Sequence, residues 1–293
     1  MEQHGALLMI GLMTLSACMV PDASRGQTLA GPSSISRMTY VLVDPPNAAG
    51  FEKVVRGEGE THAEGVIDAK GTEIIPPRTS FLIADITGPT ALVQNGRVFQ
   101  FVDLSHGPVS ADHLAATRAY AYAEPYRCGR ALVMENDRWS YIDSVGAALF
   151  DTDFDFAESF HHDRALVMQD GSYRIIDTQG STVAELPYDQ VSPQSPWCWQ
   201  VTRIDDGIYR SGFVDLDGKE ITPIIHEEVG YYDPDVRRIR VGTDGRFGFL
   251  DEHAHEVIAI RFEQAGVFHH GTARVVLHGR EFRIDPDGNE VAE

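Results

Sequence analysis

Short apolar runs alternate with polar turns along most of this 293-residue chain. In seven places an apolar residue is followed by aspartate and then by a turn, and successive aspartates are 34 to 40 residues apart. These aspartates are Asp68, Asp103, Asp143, Asp177, Asp215, Asp251 and Asp285. A near-constant period of about 36 residues is typical of repeat proteins, so the pattern predicts an array of seven similar units.

Each unit is predicted to contain a β-hairpin. Two apolar or β-branched runs are separated by a polar turn, and the second run ends at the repeated aspartate. The central turns include Asn95-Gly96, Asp170-Gly171 and Asp244-Gly245. Asn-Gly and Asp-Gly favour the positive φ that a tight hairpin turn requires. A third short run follows each hairpin, which predicts an all-β fold.

The repeated aspartate is expected to be structural. A glycine follows it by three residues in five units and by four in another, as at Gly180 and Gly107. Aspartate next to such a turn commonly accepts hydrogen bonds from the backbone N–H groups of the turn. We therefore expect the seven aspartates to cap turns and not to form a catalytic series.

Several units resemble the WG repeat family, also described as KWG repeats. The best match is Arg246-Phe247-Gly248-Phe249-Leu250-Asp251, and Arg138-Trp139-Ser140-Tyr141-Ile142-Asp143 replaces the glycine with serine. The resemblance covers roughly Phe51 to the C-terminus. It implies an all-β repeat fold in a bacterial protein and no single activity.

Two architectures bury units of this kind, a seven-bladed β-propeller and an open β-solenoid. The final unit stops soon after its second run, whereas Tyr40-Val41-Leu42-Val43 is an apolar run that precedes the first hairpin. A strand from this run could complete the last unit and close a propeller, which removes exposed sheet edges. The propeller is therefore the favoured prediction, and the open β-solenoid is the alternative.

The N-terminus has the pattern of an export signal. Residues 6–15 form a short apolar run, and Leu15-Ser16-Ala17-Cys18 resembles the lipobox of bacterial lipoproteins. The resemblance implies a signal peptide over residues 1–17, a lipidated Cys18 and a tether to residue 38, before a repeat domain over 39–293. Because Met1–Gly5 contains no Lys or Arg, a cleaved signal without lipid and a misassigned start are the alternatives.

The charge of the chain limits its partners. With 24 basic and 44 acidic residues, the net charge is −20, which disfavours nucleic acid and polybasic membrane binding. The predicted membrane contact is therefore the lipid alone. Met19, which is not aspartate, favours an outer-membrane location in the cell envelope, facing the periplasm or the surface.

Candidate metal sites are each explained better by turns. His161-His162 and His269-His270 occupy the same position in two repeats, which indicates a shared loop and not ligation. Asp215-Leu216-Asp217-Gly218 and Asp285-Pro286-Asp287-Gly288 lack the later carboxylates of a calcium loop. Cys128 and Cys198 are predicted to be separate buried thiols, since they lie about two repeats apart, and a disulfide between them in an oxidising compartment is the alternative. We predict no metal and no cofactor.

The segment from Tyr188 to Trp199 departs most from the repeat and contains Trp197 and Trp199. If exposed, these tryptophans would form a binding patch, and the alternative is that they pack between units. The sequence predicts a non-catalytic, lipid-anchored envelope module that binds a protein or an envelope polymer. An envelope hydrolase or glycan-processing enzyme, with a site in the central opening of the array, is the alternative, and a purely structural spacer is a third possibility.

Overall fold

The computed structural model describes residues 40, 42–57, 59–127 and 129–291. The predicted signal peptide, the tether, Cys18 and Cys128 lie outside these residues. The described chain divides into two compact units. The amino-terminal unit contains the residues up to Val191 together with Leu216–Lys219, and the carboxy-terminal unit contains Ser192–Asp215 and the residues from Glu220 onward.

The amino-terminal unit contains four antiparallel sheets, each made of consecutive strands. The first comprises β1 (Leu42–Val43), β2 (Phe51–Arg56), β3 (Ala63–Asp68) and β4 (Glu73–Arg78). The second comprises β5 (Phe81–Thr87), β6 (Thr90–Asn95), β7 (Val98–Asp103) and β8 (Ala119–Tyr120). The third comprises β9 (Tyr122–Ala123), β10 (Arg130–Glu135) and β11 (Arg138–Asp143), and the fourth comprises β12 (Phe156–Ala157), β13 (Arg164–Gln169), β14 (Ser172–Asp177) and β15 (Thr182–Leu186).

The remaining three sheets have four strands each. The fifth comprises β16 (Gln190–Ser195), which begins at the boundary between the units, β17 (Cys198–Asp205), β18 (Ile208–Asp215) and β19 (Glu220–His226). The sixth comprises β20 (Glu228–Asp233), β21 (Arg238–Thr243), β22 (Arg246–Leu250) and β23 (Glu256–Phe262). The seventh comprises β24 (Gln264–Ala265), β25 (Ala273–Leu277), β26 (Arg280–Ile284) and β27 (Glu290–Val291).

The predicted all-β repeat fold is confirmed, with one sheet for each repeat. Seven separate antiparallel sheets are consistent with the propeller and with the open β-solenoid. The role predicted for the N-terminal strand is wrong, however. β1 pairs with β2 in the first sheet, and the seventh sheet has its own fourth strand, β27, which pairs with β26. The last repeat therefore has no strand missing for the N-terminal run to supply.

The glycine of the WG pattern allows two strands to approach closely. A Cβ on Gly65 would lie 2.5 Å from the Ile75 carbonyl oxygen, and one on Gly248 would lie 2.6 Å from that of Ile258. Both distances are too short for a real contact, so an alanine would force the backbones apart. The register between β3 and β4 shifts at Gly65, and that between β22 and β23 shifts at Gly248. These shifts place a β-bulge in β4 and in β23, the fourth strands of their sheets.

Apolar side chains of consecutive sheets pack together within each unit. In the amino-terminal unit, Val66 of the first sheet and Val93 of the second belong to one buried cluster. In the carboxy-terminal unit, Phe213 clusters with Val241, and Phe249 clusters with Val275. Strands covered on both faces explain the continuous buried runs in β10 and β13.

The segment that joins the third strand of the second sheet to its fourth strand contains α1 (Ala111–Ala116). Ser110 caps this helix by accepting a hydrogen bond from the His113 backbone N–H. The buried Gln100 side chain donates to the carbonyls of Leu114 and Thr117, which fixes the helix on the second sheet. No helix within the described residues is long and apolar enough to cross a membrane.

Candidate functional site

The repeated aspartates hold turns, as predicted from the sequence. In five repeats, Oδ1 of the aspartate accepts the backbone N–H groups of the residues two and four positions later, at 2.8–3.0 Å. These five are Asp68, Asp143, Asp177, Asp251 and Asp285. Asp103 accepts the N–H and the hydroxyl of Ser105. These carboxylates are engaged in backbone capping, which explains why aspartate recurs.

The two histidine pairs occupy equivalent turns, again as predicted. The His161 N–H donates to the Arg164 carbonyl and the His269 N–H donates to the Thr272 carbonyl, both at 2.8 Å. His162 and His270 adopt positive φ. Among the described residues, no group of three or more His, Cys, Asp or Glu side chains has an arrangement that could hold a metal ion.

The second aspartates of the two Asp-x-Asp-Gly turns bind arginines of the preceding repeat. Nη2 of Arg164 lies 2.8 Å from Asp217, and Nη2 of Arg238 lies 3.5 Å from Asp287. Each arginine is the first residue of the first hairpin strand of its repeat. The sequence pattern did not reveal these pairs, although the recurrence of arginine at this position was a usable signal.

The tryptophan patch is only partly as predicted. Trp199 is 5 % exposed and is part of the core, so its assignment to an exposed patch is wrong. Cys198 and Trp199 are neighbours in β17 and therefore point to opposite faces of the strand. Since both are buried, β17 is covered on both faces. Trp197 is half-buried in the turn between β16 and β17. The irregular segment therefore contains an edge strand, where Pro193 is tolerated, followed by this turn.

Trp197 lies against the turn that ends the sixth repeat's hairpin. Its ring centroid is 5.1 Å from that of His253, with the planes tilted by 39°. His255 follows, with its ring centroid 6.3 Å from that of His253. Both histidines are exposed, at 48 % and 69 % of their side-chain surface. We refer to Trp197, Arg237, Glu252, His253 and His255 as the Trp197 patch.

Short hydrogen bonds fix the two turns against each other. The Ser195 hydroxyl donates to the Glu252 carbonyl at 2.5 Å and accepts the Trp197 N–H at 3.1 Å. Cys198 Sγ lies 3.3 Å from the same hydroxyl and 3.8 Å from the Glu252 carbonyl. Burial raises the pKa of the Cys198 thiol to about 11, so this free cysteine is protonated and unreactive at neutral pH. It has a packing role in the patch.

The Glu252 carboxylate is held beside the exposed imidazole of His253, with 3.9 Å between Oε1 and Nε2. It accepts a hydrogen bond from the Tyr232 hydroxyl at 3.3 Å and lies 3.5 Å from Nη1 of Arg237. Burial, followed by the charge of Glu252, raises the pKa of Tyr232 to about 12, so this phenol stays a donor. The patch thus combines an aromatic ring with hydrogen-bond donors and acceptors at fixed positions. Such a combination suits binding through stacking and hydrogen bonds.

The sequence did not indicate the partners of Trp197. Glu252 and His253 belong to the next repeat, where they occupy the two variable positions of the turn that follows Asp251. Ala254 stands where most repeats have glycine and adopts a φ of 61°. This departure at Ala254 was the one available signal that the sixth turn differs from the others.

Comparison with solved structures finds many matches at low sequence identity. A eukaryotic initiation factor is 9 % identical, with 87 % of this chain and 77 % of that chain covered and a TM-score of 0.43. Hsv2p from Kluyveromyces lactis is 9 % identical, with 84 % and 92 % covered and a TM-score of 0.37. The Pan2 WD40 domain of Neurospora crassa is 11 % identical, with 86 % and 88 % covered and a TM-score of 0.33. Similarities this distant give no information about activity or ligands.

No curated protein matches the chain. Residues 139–173 and 247–280 match the family model described as the WG containing repeat. The first segment begins at Trp139, and the second contains Gly248 with its close strand approach. The resemblance noted in the sequence is thereby confirmed for these two segments, which are WG-containing repeats.

Proposed function

We propose that this chain is a non-catalytic binding module, held at a cell-envelope membrane by lipid on Cys18. It would present its β-repeat surface to a protein or to an envelope polymer. The observation that carries this proposal is the Trp197 patch. There the Ser195 hydroxyl accepts the Trp197 N–H and donates to the Glu252 carbonyl, which fixes a half-buried indole beside exposed polar side chains. Aromatic anchors that are held rigidly lose little conformational entropy on binding, which favours such a role.

The anchoring part of the proposal rests on the sequence before the repeats. Leu15-Ser16-Ala17-Cys18 provides the acceptor cysteine, and the roughly 20 residues that follow give a typical reach of about 25 Å. Lipid at Cys18 would leave the repeat domain free to meet a partner near the membrane. Met19 supports the outer membrane as the location.

Binding is tested with the acylated, full-length protein in detergent-solubilised envelopes. We expect a specific partner, either a protein or a purified envelope polymer, to be recovered with wild type and to be lost with Trp197→Ala. Tyr231→Ala is the matched control, because Tyr231 is another aromatic residue, 90 % exposed, outside the patch. Equal recovery with Trp197→Ala and wild type would show that the patch is not the binding surface.

Anchoring is tested by labelling cells with an alkyne fatty acid. We expect label and membrane association for wild type and for Cys198→Ser, and neither for Cys18→Ala. A soluble, unlabelled wild-type protein would contradict the lipid anchor. Purified envelope glycans are incubated in parallel, and their cleavage by wild type would favour the hydrolase alternative over the binding module.

A further inference from the structure

The two methionines of the repeat domain occupy the same position in adjacent repeats. Of the seven methionines in the sequence, Met134 and Met168 are the two that lie within the described residues. Each is the fifth residue of a first hairpin strand, since β10 and β13 both begin with Arg-Ala-Leu-Val-Met. Their backbones are held alike, because the carbonyl of Met134 accepts the Ala121 N–H and that of Met168 accepts the Asp155 N–H, both at 2.9 Å.

Both thioethers lie where their strands emerge from the core. The three residues before each methionine are buried, whereas the methionine itself is half-buried. An oxidant reacts with a thioether only where it can reach the sulfur, so exposure decides which methionines are oxidised. Each strand therefore hides its aliphatic residues and leaves one oxidisable side chain within reach of solvent.

An aromatic residue flanks each methionine on both neighbouring strands. Directly opposite residues of antiparallel strands point to the same face, with Cβ atoms about 5 Å apart. We call each methionine with its two aromatic partners a bracket. The two brackets are Tyr122, Met134 and Trp139 in the third sheet, and Phe156, Met168 and Tyr173 in the fourth.

The brackets distinguish these two repeats from others. At the same position the first, second, sixth and seventh repeats have Val55, Gln94, Gly242 and Val276. None of these four residues is paired with an aromatic residue on both sides. Methionine thus coincides with two flanking rings, an arrangement in which sulfur makes favourable contacts with the rings.

The rings of the third-sheet bracket lean over Met134. Neighbouring strands are about 4.8 Å apart, so β9 and β11, on either side of β10, are separated by about 10 Å. The ring centroids of Tyr122 and Trp139 are nevertheless only 5.4 Å apart. Tyr122 also contacts Phe99 of the second sheet, with ring centroids 5.6 Å apart, so this bracket joins two sheets.

We propose that Met134 and Met168 are paired oxidation sites, at which peroxide forms methionine sulfoxide and the added oxygen opens the bracket. The sulfur lone pair attacks one peroxide oxygen, the O–O bond breaks, and an S–O bond forms. Sulfur loses two electrons, and the second peroxide oxygen leaves as water. A methionine sulfoxide reductase restores the thioether, so the modification is reversible.

The added oxygen changes which contacts the rings can keep. A sulfoxide is polar and carries a strong hydrogen-bond acceptor, so placing it between two rings costs free energy unless it reaches a donor or water. We expect the rings of Tyr122 and Trp139 to separate, which exposes the indole and loosens the contact with Phe99. The proposal rests neither on the Trp197 patch nor on the lipid anchor.

Treatment of the full-length protein with hydrogen peroxide, followed by peptide mass spectrometry, tests the two sites. The rate of sulfoxide formation at each methionine is compared between the native protein and the same chain in urea. We expect the native rates at Met134 and Met168 to be within about tenfold of the denatured rates, because both residues are half-buried. Protection of either residue beyond that range would overturn the paired site.

Tryptophan emission tests the opening of the bracket. Peroxide should shift the wild-type emission to longer wavelength, because Trp139 gains water. Met134→Leu should abolish this shift. Met168→Leu is the matched control and should keep it, since the fourth-sheet bracket contains no tryptophan. Leucine and methionine have similar volumes, so both variants should fold.

An unshifted wild type, or a shift that persists in folded Met134→Leu, would overturn the opening. Should Met134→Leu fail to fold, Trp139→Phe decides, because emission from Trp197 and Trp199 should not respond to peroxide. Methionine sulfoxide reductase should return the wild-type emission to its starting wavelength. Emission that stayed shifted after both sulfoxides had been reduced would contradict a reversible site.

Discussion

The fifth and sixth sheets share a backbone plan but differ in chemistry at one end. In both, a glycine of β18 or β22 coincides with a register shift against the fourth strand, at Gly212 and Gly248. The residues before these glycines pair with the last residues of the fourth strands. In the sixth sheet this pair is Phe247 and Phe262, whereas in the fifth it is Ser211 and His226.

The fifth sheet thus contains a buried polar cluster where the sixth sheet places two phenylalanines. His226 is 3 % exposed, and its Nδ1 lies 2.7 Å from the Thr243 hydroxyl. Ser211 bonds with Thr202 and Gln200, at 2.9 and 3.0 Å. The glycine and the register shift are common to both sheets and so belong to the repeat. The polar pair of Ser211 and His226 is a feature of the fifth sheet that the sixth does not share.

The largest effect is expected from the shared glycines. Gly248→Ala should lower the free energy of unfolding by about 2–4 kcal/mol, because the new Cβ would lie within 2.7 Å of two backbone atoms of β23. Gly212→Ala should cost less, since its nearest neighbours lie at 2.9 Å. Chemical denaturation of both variants measures the difference.

Gly266→Ala is the control for glycine removal, since its nearest neighbour would be 3.5 Å away and its φ is not positive. It should change stability by less than about 1 kcal/mol. Equal costs at all three positions would mean that strand approach is not what the WG glycine provides.

A smaller loss is expected at the turn that follows β22. Asp251→Ala removes the acceptor of the His253 and His255 backbone N–H groups, both bound at 2.9 Å, and should cost about 1–2 kcal/mol. Asp251→Asn keeps one acceptor oxygen and should retain most of the stability. Thermal unfolding compares the two, and an equal loss in both would show that the negative charge matters more than the capping.

The polar cluster predicts a pH dependence that the sixth sheet lacks. Burial lowers the pKa of His226 below its usual 6.5, so the unfolded chain binds this proton more readily than the folded one. Stability contributed by neutral His226 is therefore lost as pH falls below 6.5. His226→Phe, which copies Phe262, should flatten the stability profile between pH 7 and pH 5.

Val145→Ala serves as the control for this profile, because Val145 is 85 % exposed and has no titratable group. It should leave the pH dependence of unfolding at the wild-type slope. If His226→Phe kept that slope as well, another group would be responsible for the acid sensitivity.

Local patterns in the sequence were sufficient for the repeat, the hairpins and the turn aspartates, because these depend on residues close together in the chain. The glycine of the WG motif was visible, but the strand that requires it was not. Trp199 and His226 could not be assigned, because their burial depends on coverage by a neighbouring sheet. The Trp197 patch and the two arginine–aspartate pairs, Arg164 with Asp217 and Arg238 with Asp287, join different repeats, so no single repeat contains the pattern that defines them.

The smallest effect is expected at the contact that unites the fifth and sixth repeats, between Trp197 and His253. His253→Ala should lower stability by only about 0.5 kcal/mol, since the ring is half exposed and an aromatic pair adds little beyond its buried area. Trp197 fluorescence should nevertheless respond, because one face of the indole would gain water. Trp139 and Trp199 also contribute to the emission, so Trp197→Phe identifies the responding residue. If His253→Ala changed stability strongly and left the emission unchanged, the imidazole would be supporting the turn and not the indole, and the patch would lose its rigid aromatic anchor.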